Sequence, residues 1–402
     1  MKSKIKNQKS EIQTDVIISG AGPVGMSLAL ALARNDVSVV VLEKLDELSH
    51  EARASTIHPP TLEFFDEIGI IDDILANGLR IESLQFWERK ERELVADFPY
   101  KLIENDTKYP FRFQCPQSTV TRIILKHIEQ TDCGKVLFKH EFISAEQNET
   151  CVKVIANTPE GEAEFCAKYL IGCDGSFSKV RENLGLSFDG KIYEDRFLLV
   201  STNANLNGIF PNMGTVAYIF DPEEWVIIMT LPDTVRLVFR LNPDENADEA
   251  KQLENVKIRI ANFLQTELTY EIKAVSTYHV HQRVTETFRV GRTILAGDAA
   301  HINNPTGGMG MNSGIHDAQL LAKNLIEVLN GADDSLLDDY AKIRKEVAVK
   351  MVQSTTDENY RNLSASDENA RLKRNQELRE AANDKTKARE YLLKTAMLAD
   401  RI

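Results

Sequence analysis

The stretch DVIISGAGPVGMSLALALARNDVSVVVLE, Asp15 to Glu43, limits the fold more than any other part of the chain. A β-branched run (Val16, Ile17, Ile18) stops at Gly20. A turn carrying Gly22 and Gly25 then opens an apolar helix, and a second run from Val37 to Leu42 ends in Glu43. Strand, glycine turn, helix, strand and acid in that order make a dinucleotide-binding βαβ unit. Gly20 permits the tight turn, Gly22 leaves room for a pyrophosphate against the backbone, and Gly25 lets the helix approach the strand. The helix start turns free N–H groups and the positive end of its dipole towards the phosphates. Glu43 is placed to accept from a ribose diol, as FAD or NAD presents, rather than to face a 2′-phosphate.

Further along, other segments bring polar groups to strand ends. Arg53 precedes a helix marked by Pro59, Pro60 and a capping Thr61, and its planar fork suits phosphate oxygens. The run PQSTVTRIILKHIEQ predicts a helix after Pro116. In YLIGCDGSFSKVR an apolar strand ends at Asp174-Gly175, with Ser176, Ser178 and Arg181 behind it. From Ser187 to Arg283 successive strands separated by Gly, Pro, Asp and Asn turns predict an antiparallel sheet inserted into the first lobe, with one helix near Glu254 to Leu264. The chain returns with Thr293-Ile294-Leu295, Asp298 at the strand end, and a loop carrying Gly307, Gly308 and Gly310 directly before an apolar helix, so several backbone N–H groups point out of that loop. Beyond Arg344 the chain is charged and helix-prone, read as a helical appendix against a flexible tail as the plainer alternative.

This predicts an α/β fold: a Rossmann-like lobe from residues 11–83, 113–186 and 283–345, an inserted, mainly antiparallel β-sheet lobe from 84–112 and 187–282, and a C-terminal helical appendix over 346–402. The net charge of −13 argues against nucleic acid and against an anionic membrane surface. The five cysteines lack metal-ligand spacing and read as reduced thiols of a cytoplasmic protein. The basic first ten residues lead into no secretory signal, and no apolar run is long enough to span a bilayer.

Three separated segments, GAGPVG with Glu43, CDGSFSKVR, and GRTILAGDAAHINNPTGGMGMN, together resemble the class A (single-component) FAD-dependent aromatic hydroxylases, the group of para-hydroxybenzoate hydroxylase and the phenol hydroxylases. The resemblance runs from about residue 13 to 345 in the family's order. It implies that Gly20, Gly22, Gly25 and Glu43 hold the ADP half of a resident FAD, with Arg53 near the pyrophosphate and Gln117 on the flavin side chain. It implies that Asp174, with Gly175 and Arg181, serves FAD and the nicotinamide donor, that Asp298 meets the ribityl chain, and that Gly310, Met311 and Asn312 face the flavin pyrimidine edge. Pro305 matches a proline whose carbonyl lines the reaction site. The chain holds no second strand–GxGxxG–helix unit, so NADPH or NADH would bind transiently, as it does in the family.

The activity so implied is NAD(P)H- and O2-dependent hydroxylation of a small aromatic or heteroaromatic compound through a flavin C4a-hydroperoxide, by a monomer or homodimer. The family's substrate-activating tyrosine pair has no clear match. His281, which shares a strand face with His279, is the candidate base, with Arg240, Tyr193 and Tyr218 as further candidates. The alternatives are an FAD-dependent reductase of the same fold, which would turn over without O2, and a non-catalytic FAD-binding regulatory protein. A halogenase would need a WxWxIP-like segment, and Trp87 and Trp225 are far apart.

Overall fold

In β1 (Ile12–Ser19), Val16, Ile17 and Ile18 are wholly buried although neighbouring side chains point to opposite faces. A strand apolar on both faces belongs inside a parallel sheet with both sides covered, and β1 lies there. The sheet runs β17 (Arg289–Val290), β18 (Thr293–Leu295), β11 (Gly161–Gly172), β1, β2 (Val39–Glu43), β8 (Gly134–Phe138). From β18 to β8 all neighbours are parallel. A hairpin, β9 (Glu141–Gln147) and β10 (Val152–Thr158), pairs onto β11. The computed structural model describes residues 12–50, 54–206, 208–221, 225–242, 244–266, 268–303, 307–349 and 368–399.

α1 (Pro23–Ala33) is buried on nearly every side, because it packs against the sheet, α4 (Gln117–Ile128) and α8 (Gly310–Leu329). An all-round apolar helix is the form such a position requires, and each of its buried leucines contributes about 1.5–3 kcal/mol. α2 (Pro59–Glu67), α3 (Ile71–Leu75), α5 (Lys179–Asn183) and α9 (Leu336–Val347) complete this lobe. Thr61 does not cap α2. The prolines at 59 and 60 occupy its first positions, where no N–H is needed, so His58 is the cap residue. Thr61 instead shares a hydrogen bond with His316 Nε2 (3.0 Å).

The second sheet runs β19 (His301–Ile302), β16 (Ile272–Thr285), β12 (Phe188–Thr202), β15 (Val235–Leu241), β14 (Val226–Thr230), β13 (Val216–Phe220), β5 (Ser83–Glu88), β6 (Glu93–Pro99). It is antiparallel except where β13 meets β5, a strand supplied by an earlier stretch of chain. β16 pairs with β12 along most of its length and with β19 at Arg283 and Val284, so one strand carries the chain between the lobes.

Alternation along these strands builds two faces. Leu198, Val200, Ala217, Ile219, Leu237 and Phe239 point to one side, under α6 (Ala247–Ala250) and α7 (Leu253–Leu264). Phe197, Leu199, Tyr218, Phe220 and Val238 point to the other. That second face is covered in part by α10 (Glu368–Asn383) and α11 (Lys385–Thr395), through Ala388, Leu392, Ala396 and Leu398. The described part of the C-terminal stretch is therefore a docked pair of helices, not a tail.

α10 is held by buried charge. Arg371 pairs with Glu88 at 3.1 Å, Asn375 donates to the same carboxylate, and the Arg374 guanidinium lies 3.4 Å from the Phe220 ring centroid. A third, small sheet, β3 (Thr56–Ile57), β7 (Arg112–Gln114), β4 (Leu79–Ile81), joins the lobes.

Candidate active site

At the carboxyl end of β1 each glycine of the turn has its own reason. Gly20 has φ +106°, and a Cβ there would stand 2.4 Å from the Cys173 carbonyl oxygen. At Gly25 a Cβ would stand 2.2 Å from the Gly20 carbonyl oxygen, so only glycine lets the helix start close on the turn. At Gly22 a Cβ would meet nothing within 4 Å. Gly22 faces open space at the start of a buried helix, whose first N–H groups have no carbonyl of their own. The Glu43 carboxylate, at the end of β2, accepts from Ala21 N (2.8 Å) and Leu45 N (3.0 Å), which ties the acid to the turn and leaves each oxygen a free lone pair.

The neighbouring parallel strands end level with it. Cys173 N donates to the Ser19 carbonyl (2.8 Å) and Ala296 N to the Gly172 carbonyl (3.0 Å), so Gly20, Asp174 and Asp298 lie on one edge of adjacent strands. This edge is where open α/β sheets bind ligands. The Asp174 carboxylate is engaged at home, accepting from Ser178 Oγ and from Val180 N (3.2 Å) at the start of α5. Burial pushes its carboxyl up despite those donors. Arg181 reaches across, donating to the carbonyls of Ala299 (2.8 Å) and Ser176 (2.9 Å), and so clamps the Asp174 turn to the Asp298 turn. Asp298 itself is exposed.

Beneath Asp298 lies a network that sequence reading missed. Asp317 of α8 is wholly buried, accepts from Gly297 N (2.9 Å), pairs with His301 Nε2 (2.7 Å) and takes the Arg344 guanidinium on its other oxygen. Burial alone would raise its carboxyl; Arg344 and His301 overcome that and hold it at about 2. The signal was present: Asp317 and Arg344 occupy the apolar faces of their helices, Asp317 with Gly314 and Leu321, Arg344 with Leu337 and Tyr340.

Gly310, Met311 and Asn312 form the first turn of α8, where N–H groups have no i−4 carbonyl. A Cβ at Gly310 would meet nothing within 4 Å. The Asn312 side chain is structural: it accepts from His58 N and donates to the carbonyls of Thr56 and Gly308, each at 2.8 Å. His58 in turn meets the Gly307 carbonyl (3.1 Å), and burial holds its imidazole well below the ordinary range. The α8 start is thereby fastened to residues 56–58. Gln117, half-buried at the start of α4, is anchored by its N–H to the Ala54 carbonyl (2.9 Å).

Arg53 and Pro305 lie outside the described residues. His281 belongs to β16, and its backbone pairs with Ile192. Tyr218 is buried on the second face, stacked on Phe86 at 5.4 Å. Among the described residues no cluster of His, Cys, Asp or Glu could hold a metal, and no helix is long and apolar enough to cross a membrane.

FAD suits these residues: the glycine turn leaves open space at Gly22, an acid stands at the next strand end, and a second helix start with open space lies at Gly310. Comparison with known proteins agrees. The FAD binding domain family matches residues 13–355. The chain is 30% identical to para-nitrophenol 4-monooxygenase of Pseudomonas sp. strain WBC-3 over 382 residues, 94% of each chain. It is 32% identical to 6-hydroxy-3-succinoylpyridine 3-monooxygenase of Pseudomonas putida S16 over 358 residues, 87% of this chain and 88% of that one. The crystal structure of p-nitrophenol 4-monooxygenase from Pseudomonas putida DLL-E4 superposes with a TM-score of 0.90 at 29% identity, covering 98% of this chain and all of the other. The chain belongs to the FAD binding domain family and, within it, to the class A FAD-dependent aromatic hydroxylases.

Proposed function

We propose that the chain hydroxylates a small phenol or hydroxylated nitrogen heteroaromatic, using FAD, NAD(P)H and O2. One observation carries the reading: four strand ends (Gly20, Glu43, Asp174, Asp298) share one sheet edge, and the open α8 start is tied through Thr56 of β3 and its partner strand β7 to Tyr100 in the aromatic cluster of the inserted sheet. Relatives named for nitrophenol and hydroxypyridine substrates support that substrate class. Bound FAD would supply the redox chemistry, taking a hydride from NAD(P)H and, with O2, passing one oxygen atom to the ring.

The chain's residues do the rest. Gly20, Gly22 and Gly25 open the α1 start to the pyrophosphate, with Arg53 as its cation, while Glu43 receives the adenosine ribose. Gln117 and Asp298 take the ribityl side, and Asp174, held by Ser178 and Arg181, shapes the edge between them. The N–H groups of Met311 and Asn312 offer a donor field for negative charge on the flavin pyrimidine, a preorganised field of the kind that stabilises developing charge. The family resemblance assigns Pro305 to the reaction chemistry, with His281 as the candidate base. Residues 11–83, 113–186 and 283–345 act as the nucleotide lobe, and 84–112 with 187–282 as the substrate lobe. The protein works in the cytoplasm, as a monomer or homodimer, its thiols free.

The test is NAD(P)H oxidation by the FAD-loaded protein with a panel of phenols and hydroxypyridines, and identification of the product. An aromatic compound should accelerate oxidation and return oxygenated. Turnover that persists without O2 would move the chain to the reductases; no stimulation and no product from any compound would defeat the proposal.

A further inference from the structure

The wall between the α8 start and the inserted sheet carries polar side chains that folding leaves unsatisfied. Arg112 and Gln114 are two apart in β7 and so share a face, while Phe113 between them is buried in the nucleotide-lobe core. Gln114 is wholly buried; Thr56 Oγ1 donates to its Oε1 (3.3 Å), and its Nε2 has no partner. Thr56 is the residue whose carbonyl takes the Asn312 side chain, so this face of β7 meets the first turn of α8. Arg112 is 3% exposed, with its guanidinium carbon 5.8 Å from the Tyr100 ring centroid. One of its nitrogens donates to the Thr395 carbonyl at the end of α11, its Nε has no partner, and among the described residues no carboxylate pairs with it. Tyr100 is wholly buried, and its hydroxyl too has no partner. His58 lies close by, and its Nδ1 has no hydrogen-bond partner.

A buried cation without an anion is among the costliest arrangements in a protein, and each unsatisfied buried donor adds its own desolvation cost. Arg112 Nε, Gln114 Nε2 and Tyr100 O–H are donors, and an electron-rich acceptor would answer all of them. Two other buried arginines of this protein have carboxylate partners: Arg344 with Asp317 and Arg374 with Glu88. Arg112 has no such carboxylate among the described residues, and the Tyr100 ring lies beside it on the sheet side.

We propose that Arg112, with the Tyr100 hydroxyl and the Gln114 amide, forms an anion-recognising subsite that receives a charged oxygen substituent, phenolate or carboxylate, of the aromatic substrate. The Thr395 carbonyl aims the guanidinium, so α11 takes part in specificity. This rests on reading the edge as a hydroxylase site. It goes further in saying which side chain selects the substrate's charge.

Three probes in mildly alkaline buffer separate the sources of charge: 4-nitrophenol as its phenolate, 4-methoxybenzoate as a carboxylate, and 4-nitroanisole as a neutral ring. Affinity is read by calorimetry on the FAD-loaded protein, independently of turnover. Arg112→Gln should weaken at least one anion about 30-fold or more, as loss of one partner of a buried charge pair does, with 4-nitroanisole changed less than about threefold, a surface-like effect. The anion affected names the source. Tyr100→Phe removes only the unpartnered hydroxyl. It should weaken the same anion with no fall in melting temperature, which keeps the test decisive if Arg112→Gln does not fold. Equal loss for all three probes, unchanged anion affinity in Tyr100→Phe, or a wild type that prefers the neutral ring would each overturn the subsite. Anion affinity that follows Arg112 with no phenol or hydroxypyridine stimulating NAD(P)H oxidation would instead leave the subsite standing and defeat the proposed function.

Discussion

The flavin edge and the Arg112 wall solve opposite problems. Along the edge from Gly20 to Asp298, the two carboxylates are satisfied by nearby backbone N–H groups and one hydroxyl: Glu43 by Ala21 N and Leu45 N, Asp174 by Val180 N and Ser178 Oγ, and what is left open is space in front of glycine. At the wall, Tyr100 from a short helical turn and Arg112 and Gln114 from β7 keep donors unanswered, and α11 supplies only the Thr395 carbonyl. The cofactor side is thus made of backbone and voids, where one added methyl group decides, and the substrate side of charge and hydroxyl, where one removed atom decides.

Four substitutions and an acid scan test that contrast. Gly25→Ala, whose Cβ would overlap the Gly20 carbonyl, should cost about 3 kcal/mol or more in urea unfolding and leave a protein that purifies without FAD. Glu88→Ala strands Arg371 and Arg374; it should cost a comparable 3 kcal/mol or so, while FAD absorbance per chain stays at the wild-type level, since the damage is confined to α10 and the sheet. FAD loss on that change would break the separation of the two regions.

An acid scan of unfolding comes next. His58 is held below its ordinary range, so the stability it favours is present above pH 6.5 or so and declines as pH falls from there. Asp317 is depressed to about 2, so its contribution is present above its unfolded value and is lost as pH falls from about 4 towards about 2, worth about 2 kcal/mol. Asp317→Asn should shrink the lower step by about that amount and leave the upper one. Smallest in stability is Gly22→Val: its side chain enters open space, so the apoprotein should melt within about 0.5 kcal/mol of wild type, while FAD binds about ten- to 100-fold more weakly. A large apoprotein loss would show that the space at Gly22 is not reserved for a ligand.

What could be read from sequence follows the same division. The flavin edge is local: strand, turn and helix lie within one stretch, and Gly20, Gly25 and Glu43 have the geometry their spacing implies. The inserted sheet was legible from turn spacing, except for the parallel β5 to β13 pairing, which depends on contact between distant stretches. The wall was not legible. Arg112 lies in KYPFRFQC, where it looks like any surface arginine, and only the third sheet and α11 bury it. Tyr218 was a candidate on sequence; Tyr100, in a short helical turn with no periodicity, was not. Likewise the sparse leucines after Arg344 could not say which surface they cover, because the covering face of the sheet is assembled from five strands.

The Thr395 carbonyl beneath Arg112 also sets an order of assembly. A chain emerging from the ribosome, N-terminus first, completes β18 and α8 by residue 329, so the flavin edge can fold and take up its nucleotide while the wall still lacks α11. The acceptor that orients Arg112 arrives only with Thr395. On the proposed role of Arg112, the nascent protein can take up flavin before it can select its substrate, and discrimination between aromatic compounds is among the last properties it acquires.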